Sequence, residues 1–303
     1  MTHFIAKIHI LLWVVFMSFG IALSGGGAKG AAHIGVLKAL EENNLIPSTI
    51  AGTSIGSIIG GLYAIGYTSK DLEDLSKNFS KNYFMFLDPC YSQYTRAIFQ
   101  LLTHSTVTIS GLIRGNKLEA YFKKLTKNKH ITDTTMRFIS PCVDLITSKT
   151  IVYTNSLDGL PEIPNIVWKN DAYLAEVMRA SSSLPAIFYP KKLNNLLLID
   201  GGISDNLPIN LLHAAGEKNI LAIDLAQEYK KPQNSGIFEL IIHSFEIMQL
   251  TAKKTLIGKE KFLISIKFPD SVELLDFKNM NKLIEIGYQA TNDVIPQLKK
   301  IFN

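Results

Sequence analysis

The chain has 303 residues, of which 47% are hydrophobic and 19% are charged, and its formal net charge is +5. A soluble domain usually carries about 25% charged residues, so this composition excludes a disordered chain and predicts a sizeable buried core. The basic residues are scattered, which argues against a nucleic-acid-binding protein and suits an anionic membrane surface. The two cysteines, Cys90 and Cys142, are too few for a disulfide framework or a structural zinc site.

The most apolar segment stands at the start of the chain. Residues 8–23 read IHILLWVVFMSFGIAL and follow Lys7. Three interpretations stay open: a signal peptide or membrane anchor, an extension ahead of a true start at Met17, and a core helix. A transmembrane helix fits less well, because about 20 apolar residues are needed and the last five belong to the first predicted strand. We therefore predict that residues 1–18 are an extension outside the domain.

Beyond this segment, strand-like and helix-like periods alternate. Strands are predicted at residues 19–23, 49–51, 138–145, 150–153, 196–199, 220–225 and 262–268. Helices are predicted at residues 31–43, 54–65, 117–126, 174–180, 237–256 and 281–298. This alternation predicts an α/β fold with a mainly parallel sheet. Because no repeat or linker is visible, we predict one domain over residues 19–230, with residues 231–303 packed on it as a C-terminal extension.

An aromatic-rich segment interrupts the alternation. Residues 79–99 contain seven aromatic residues, and these follow neither a period of two nor one of 3.6. One interpretation is an irregular segment that caps the core. The other is a mobile lid or an acyl-chain groove, because adaptable apolar surface beside a site suits a lipid tail.

A glycine-rich loop joins the first predicted strand to the first predicted helix. It places Gly25, Gly26 and Gly27 ahead of Lys29 and Gly30. Glycines let backbone N–H groups approach a ligand, and a helix N-terminus favours an anion. A dinucleotide site would need an acidic residue about 20 residues further on, and a P-loop would need Ser or Thr after its lysine; both are missing. The loop is therefore predicted to stabilise an oxyanion, the alternative being a tight turn.

The second predicted strand-to-helix turn reads GTSIG and places Ser54 between Gly52 and Gly56. In this context G-x-S-x-G is a nucleophile elbow, because the glycines permit a sharp turn that lifts the serine hydroxyl above the sheet. The alternative is a serine N-cap, which does not need glycine on both sides. We therefore predict that Ser54 is a nucleophile.

A serine nucleophile needs a base. The two late histidines lie in helix-like segments, without the loop environment expected of the base in an α/β-hydrolase. Asp200 instead ends an apolar strand and precedes Gly201 and Gly202, and a carboxylate whose basicity is raised by burial can accept the serine proton directly. We therefore predict a dyad of Ser54 and Asp200; the alternative for Asp200 is a turn-initiating aspartate.

Together these motifs resemble those of the patatin-like phospholipases, lipid acyl hydrolases with a Ser–Asp dyad. Three further stretches are similar to the bacterial members related to neuropathy target esterase. They are GLIRGNKL at residues 111–118, VDLIT at 143–147 and RASSSLPAIFYP at 179–190. The resemblance covers about residues 19–229 and implies a three-layer α/β/α fold with a mainly parallel central sheet.

The resemblance implies that Ser54 is the nucleophile, that Asp200 accepts its proton, and that backbone amides around Gly25, Gly26 and Gly27 form the oxyanion hole. The supporting positions of the motifs are Lys29, Gly30, Gly52, Gly56, Gly201 and Gly202. The implied reaction is hydrolysis of a carboxylic ester of a phospholipid or lysophospholipid (EC 3.1.1.-), without a metal or a cofactor. The alternatives are a general carboxylesterase or thioesterase and a catalytically silent lipid-binding protein.

A peripheral membrane contact and no nucleic-acid partner are expected of such an enzyme. A basic amphipathic stretch around Lys253 and Lys254 is one candidate for that contact, and a packed helix with a solvated face is the alternative. We expect a cytoplasmic location or one on the inner membrane face, with secretion or anchoring through residues 1–18 left open. The sequence does not define an oligomeric state.

Overall fold

The structure is a computed structural model that describes residues 18–106, 108–225, 236–255, 257–269, 272 and 275–302. The predicted N-terminal extension, apart from Ser18, lies outside the described residues. Within these ranges, every helix is too short or too polar to span a bilayer.

Strands and helices alternate through most of the chain. The strands are β1 (Gly20–Leu23), β2 (Thr49–Gly52), β3 (Arg137–Asp144), β4 (Thr150–Thr154), β5 (Ile166–Lys169), β6 (Lys191–Leu193), β7 (Leu196–Asp200), β8 (Ile220–Asp224) and β9 (Phe262–Ser265). The α-helices are α1 (Ala31–Glu42), α2 (Ile55–Ala64), α3 (Ser69–Asn82), α4 (Tyr91–Leu102), α5 (Asn116–Leu125), α6 (Leu174–Ser181), α7 (Ile209–Ala214), α8 (Ile237–Lys253), α9 (Met280–Asn292) and α10 (Ile295–Phe302).

The described strands form one nine-stranded sheet whose main path runs β5-β4-β3-β2-β1-β8-β9. Along the part of this path that runs β3-β2-β1-β8-β9, each strand is parallel to its neighbour. By contrast, β4 and β7 run antiparallel to β3. β1, β2 and β8 are buried along their whole length, as expected of parallel strands covered on both faces. The predicted α/β class with a mainly parallel sheet is confirmed.

Side chains of β1 alternate between two cores, one on each face of the sheet. Ile21 and Leu23 belong to the larger core, which α1, α2, α3 and α9 cover. Ala22 belongs to the smaller core, where Leu211 and Leu212 of α7 pack. The sheet is therefore the middle of three layers, with most of the helices on one face.

The site depends on how β2 and β7 share one flank of β3. Ala51 of β2 pairs with Ile139 in a parallel register, and further along β3 Asp200 of β7 pairs with Cys142 in an antiparallel register. The two strands thus run toward each other along the same flank. Their carboxyl ends meet, and each end carries one of the predicted catalytic side chains.

The C-terminal region packs backbone to backbone on the first helix. A Cβ atom added to Gly35 of α1 would lie 1.9 Å from the carbonyl oxygen of Ile284, and one added to Gly287 of α9 would lie 2.0 Å from that of Ala32. Only glycine permits this approach. α9 therefore supports α1, the helix that follows the glycine loop.

Some element predictions were wrong. The single helix expected at residues 281–298 is two helices, because Pro296 has no amide hydrogen to donate to the carbonyl oxygen of Asn292, the last residue of α9. α3, α4, β5 and β6 were not predicted. The segment at residues 79–99 is largely helical rather than irregular, since α3 runs into it, the 3-10 turn Tyr83–Phe86 follows, and α4 begins at Tyr91.

Candidate active site

Ser54 occupies a sharp turn between β2 and α2. Its φ is 55°, in the left-handed region that side chains other than glycine seldom adopt, which is the strain expected of a nucleophile elbow. The flanking glycines allow the chain to close this tightly. A Cβ atom on Gly56 would lie 2.3 Å from the carbonyl oxygen of Leu23, and one on Gly52 would lie 2.2 Å from that of Gly56. The turn therefore needs both glycines.

The side chains of Ser54 and Asp200 are in direct contact. The Ser54 hydroxyl donates a hydrogen bond of 2.7 Å to Oδ2 of Asp200, and Oδ1 of Asp200 accepts a bond of 2.8 Å from the amide of Gly202. Gly201 makes the turn possible, because a Cβ atom there would lie 2.2 Å from the carbonyl oxygen of Pro141. The carboxylate is thus held on one side with its other oxygen directed at the serine.

Asp200 is 3% exposed. Burial raises the pKa of its carboxyl group to about 6, although the hydrogen bonds from Ser54 and Gly202 act in the opposite direction. Desolvation disfavours the charged form of a carboxyl group, and a higher pKa makes the carboxylate a stronger base. At neutral pH the group is therefore ionised and yet more basic than an exposed aspartate.

The glycine loop lies against the serine. A Cβ atom on Gly25 would be 3.3 Å from Cβ of Ser54 and 2.4 Å from Oδ1 of Asn206. The amide of Gly25 donates to the carbonyl oxygen of Asn206 at 3.0 Å. Of the three amides predicted to bind the oxyanion, that of Gly25 therefore already has an acceptor. Among the described residues, the amides of Gly26 and Gly27 donate no hydrogen bond.

Residues that the sequence analysis did not single out hold the turn in place. The hydroxyl of Ser181 accepts from the amide of Ser54 at 3.0 Å and donates to the carbonyl oxygen of Pro141 at 2.7 Å. The hydroxyl of Thr53 donates to the carbonyl oxygen of Asp205 at 2.8 Å. The segment containing Ser181 carried the family resemblance, but no local pattern assigned this residue a role.

His33 and Lys29, which lie in or beside these motifs, are both buried. His33 of α1 is fully buried, donates through Nε2 to the carbonyl oxygen of Ser24 at 2.8 Å, and has a pKa that burial lowers to about 4. It is therefore neutral and supports the start of the glycine loop. Lys29 is 8% exposed. In the described part of the chain, no group of three or more His, Cys, Asp or Glu side chains is arranged to hold a metal ion.

The dyad opens into an apolar cavity of about 200 Å³. One wall is α2, which contributes Ile55, Ile58, Ile59 and Leu62. The eight steps from Ser54 to Leu62 correspond to ~12 Å along the helix axis at 1.5 Å per residue. The other apolar lining comes chiefly from α3, α5 and the aromatic segment, with Leu72, Leu75, Phe79, Tyr83, Phe86, Leu118, Tyr121 and Phe122.

The aromatic segment divides between this cavity and the surface. Phe79, Tyr83 and Phe86 line the cavity, whereas Phe84 and Phe99 are more than half exposed. Only the first part of the segment lines the cavity, and the interpretation as an acyl-chain groove stays a prediction for that part. The interpretation as a mobile lid stays a prediction.

Helix α8 forms part of the cavity wall through Ile242, Phe245 and Gln249. A Cβ atom on Gly202 would lie 2.7 Å from Nε2 of Gln249, so this side chain reaches the turn that follows Asp200. Lys253, in the stretch predicted as a basic membrane contact, forms an ion pair with the buried carboxylate of Asp224. One side of α8 therefore packs on the domain, while the membrane contact of this stretch stays a prediction.

The fold and the site define an α/β protein with a serine–aspartate pair beside a glycine loop. The model of the patatin-like phospholipase family matches residues 21–213. The chain belongs to this family.

Lysophospholipase NTE1 of Candida albicans is 31% identical over 218 residues, which are 72% of this chain and 14% of that protein. Patatin-like phospholipase domain-containing protein 6 of Mus musculus is 26% identical over 300 residues, covering 90% of this chain and 20% of that protein. The chain thus spans a fifth or less of the length of these relatives. The predicted relationship to neuropathy target esterase is confirmed.

Among solved structures, human GIVD cytosolic phospholipase A2 in complex with methyl gamma-linolenyl fluorophosphonate has a TM-score of 0.48 and 10% identity, covering 95% of this chain and 60% of that one.

Proposed function

We propose that this chain is a serine lipid acyl hydrolase that cleaves carboxylic ester bonds of phospholipids or lysophospholipids. The observation that carries the proposal is the 2.7 Å contact between Ser54 Oγ and Asp200 Oδ2 in the lining of an apolar cavity. Membership of the patatin-like phospholipase family and relatives named lysophospholipases support the same reaction class.

In the first half of the reaction, Asp200 takes the hydroxyl proton while Ser54 Oγ attacks the acyl carbonyl carbon. The raised pKa of Asp200 suits this step, because a general base works best when its pKa lies near the working pH. The carbonyl oxygen becomes an oxyanion. When the tetrahedral intermediate collapses, the C–O bond to the glycerol breaks, the leaving alkoxide takes the proton from Asp200, and the acyl group remains on Ser54.

In the second half, Asp200 takes a proton from a water molecule that attacks the acyl-enzyme. The ester bond to Ser54 breaks, the serine oxygen recovers a proton from Asp200, and a fatty acid is released. The same carboxylate thus serves both halves, and its second oxygen keeps the bond to the Gly202 amide that fixes its orientation.

The proposed oxyanion donors are the amides of Gly26 and Gly27, which begin the turn before α1. Preorganised amides stabilise a charge that exists only near the transition state, and each donor is worth roughly 2.7–4 kcal/mol. Gly25 has a different proposed role: its amide binds Asn206, and its missing side chain lets the loop approach Ser54.

The reacting ester and the acyl chain meet different surroundings. Asn206 and Gln249 place amide groups beside Gly25 and Gly202, next to the dyad. Away from the dyad the cavity wall is almost wholly apolar, which suits a hydrocarbon chain. We therefore propose that the acyl chain lies along α2, with its carbonyl carbon at Ser54.

The proposed nucleophile is tested by labelling with a fluorophosphonate, which reacts covalently with an activated serine. Mass spectrometry should locate the label on Ser54. Ser54→Ala should abolish both the label and the release of fatty acid from lysophosphatidylcholine. Ser182→Ala is the matched control, because Ser182 also lines the cavity but its hydroxyl donates within α6 to the carbonyl oxygen of Met178.

Retention of lipid hydrolysis by Ser54→Ala contradicts the proposed nucleophile. Normal labelling of Ser54 together with hydrolysis of short p-nitrophenyl esters but of no phospholipid or lysophospholipid identifies a general carboxylesterase instead. Labelling without hydrolysis of any ester contradicts the enzymatic function itself.

The far end of the cavity predicts chain-length selectivity. Leu62→Phe should lower kcat/KM for palmitoyl lysophosphatidylcholine about tenfold, because the larger ring fills the space ~12 Å from Ser54 along α2. Hydrolysis of p-nitrophenyl butyrate should not change, because a short chain ends before this position. Leu62→Met, which nearly conserves volume, is the control for a general packing defect. Unchanged kcat/KM of Leu62→Phe for palmitoyl lysophosphatidylcholine would place the acyl chain elsewhere.

A further inference from the structure

Helix α4 turns its large apolar side chains outward. Tyr91, Ile98, Phe99, Leu101 and Leu102 are between 61% and 74% exposed. On a surface helix the apolar stripe normally faces the core. A contiguous exposed apolar patch marks a site that contacts another molecule or a membrane.

The orientation of α4 is fixed by hydrogen bonds on its inner side. The buried side chain of Gln93 donates to the carbonyl oxygen of Gly111 at 3.1 Å and accepts from the amide of Ser110 at 3.2 Å. The hydroxyl of Tyr94 donates to the carbonyl oxygen of Leu112 at 2.6 Å. Rotating the helix to bury its apolar side would leave the Gln93 amide unpaired, which is costly in an interior. The outward direction of the apolar side chains is therefore built into the fold.

The chain segment that contains α4 carries basic residues and no acidic ones. From residue 89 to residue 118 the sequence contains no Asp or Glu, but it contains Arg96, Arg114 and Lys117. Arg96 is exposed on α4 itself. The preceding carboxylate, Asp88, accepts bonds of 2.7 and 2.8 Å from the amides of Gly115 and Asn116 at the start of α5. Such a surface attracts an anionic partner and repels a cationic one.

The turn Tyr83–Phe86, which precedes α4 in the chain, combines cavity wall with exposed apolar surface. Two residues of this turn, Tyr83 and Phe86, line the cavity, while Phe84 and Met85 between them are 64% and 67% exposed. One short turn thus contributes both to the cavity and to exposed apolar surface in the segment that leads into α4. An acyl chain that leaves a lipid layer at this surface meets apolar side chains on its way to Ser54.

We propose that α4 and the turn Tyr83–Phe86 form a docking surface that inserts into an anionic phospholipid bilayer. The bulky apolar side chains enter the acyl region, and Arg96 meets the lipid phosphates. The reason for docking rests on the proposed function, since a lipid ester must leave the bilayer to reach the dyad. Binding itself requires no turnover, so the two can be tested separately.

The test is flotation of the full chain, carrying Ser54→Ala to prevent lipid hydrolysis, with vesicles of phosphatidylcholine and phosphatidylglycerol. Adding Phe99→Ser and Leu102→Ser should lower the partition coefficient about tenfold or more, because two large side chains lose their burial in lipid. Arg96→Glu should lower it about 30-fold on these vesicles and leave it unchanged on pure phosphatidylcholine, since the substitution changes the charge by two units and each is worth about 1 kcal/mol near an anionic surface.

The matched control is Ile46→Ser with Leu157→Ser. These side chains are 52% and 43% exposed, and they lie near the amino ends of β2 and β3, away from the strand ends that carry the dyad. This control should bind vesicles like the parent. When Ser54 is kept, the Phe99→Ser and Leu102→Ser variant should hydrolyse soluble p-nitrophenyl butyrate normally and vesicle phospholipid more slowly.

Equal vesicle binding by the α4 variant and its parent overturns the proposal. So does a parent that does not bind vesicles but is a dimer that the α4 substitutions dissociate, because the partner is then a second copy of this chain. If Ser54→Ala fails to abolish ester hydrolysis while the α4 dependence of vesicle binding holds, the proposed function fails and the docking surface stands.

Discussion

Replacing Asp200 by asparagine should lower kcat for ester hydrolysis by about 10³- to 10⁴-fold, because the amide cannot accept the proton of Ser54. The shape of the site should persist, since the carbonyl oxygen of asparagine can still accept the bond from Gly202. Steady-state kinetics on p-nitrophenyl butyrate measure the effect without vesicle binding. Turnover within tenfold of the parent would exclude Asp200 as the proton acceptor.

The same substitution should stabilise the protein at pH 7. In the folded protein the pKa of Asp200 is about 6, against an ordinary value of 3.8, so folding makes ionisation more costly by about 3 kcal/mol. A carboxyl group with a raised pKa binds protons more tightly in the folded state, so its contribution to stability falls as the pH rises from about 4 to about 6. Asparagine removes this penalty. Urea unfolding should show Asp200→Asn to be more stable at pH 7 by about 2–3 kcal/mol and to lose this advantage near pH 4.

Asp205→Asn is the matched control for both effects. Burial raises the pKa of Asp205 to about 7, and this residue contacts Thr53 of the elbow through its main-chain carbonyl oxygen, not through its carboxylate. Its substitution should therefore stabilise the protein at high pH and leave kcat near that of the parent.

For the parent enzyme, kcat/KM should fall about tenfold per pH unit below pH 6, as Asp200 becomes protonated.

The local part of the site could be predicted from the sequence, because its signals are short. A glycine loop after a strand and a G-x-S-x-G turn before a helix each describe one connection, and the structure has a strand and a helix at those places. The contact between Ser54 and Asp200 is not local. It depends on β7 running antiparallel along β3 until it meets the end of β2. The residue types and the family resemblance indicated the pair, but no local pattern indicated this arrangement of strands.

The two missed helices differ in the signal that they offer. α3 begins with Thr68 and Asp71, whose side chains and amides bond reciprocally in a capping box, a pattern that can be recognised from sequence. α4 has no comparable signal. Its buried residues include polar Gln93, while its large apolar residues are exposed, so a method that assigns apolar residues to the core misplaces the helix. Ser181 and Asn206 likewise act through tertiary contacts that no local pattern encodes.

Replacing Gly25 by alanine should lower kcat about 10²- to 10³-fold while KM changes little. The new methyl group would lie 2.4 Å from Oδ1 of Asn206, closer than any real contact, and 3.3 Å from Cβ of Ser54. Because the amide of Gly25 also donates to the carbonyl oxygen of Asn206, we expect relief of the clash to shift the loop as well as the Asn206 side chain. The amides proposed to meet the oxyanion then move away from the reacting carbonyl, and losing a donor of this kind costs about 10² to 10³ in kcat.

A double-mutant cycle separates this cause from a general loss of stability. Asn206→Ala removes the atom that the new methyl group meets, and the remaining 3.3 Å contact with Ser54 requires a shift of only a few tenths of an ångström. Gly25→Ala combined with Asn206→Ala should therefore be more active than the product of the single effects. Gly236→Ala is the control, because that glycine has an ordinary φ of −67° and no atom within 4 Å of an added Cβ. Strict additivity of the two substitutions would mean that Gly25 acts on catalysis by a route other than its approach to Asn206.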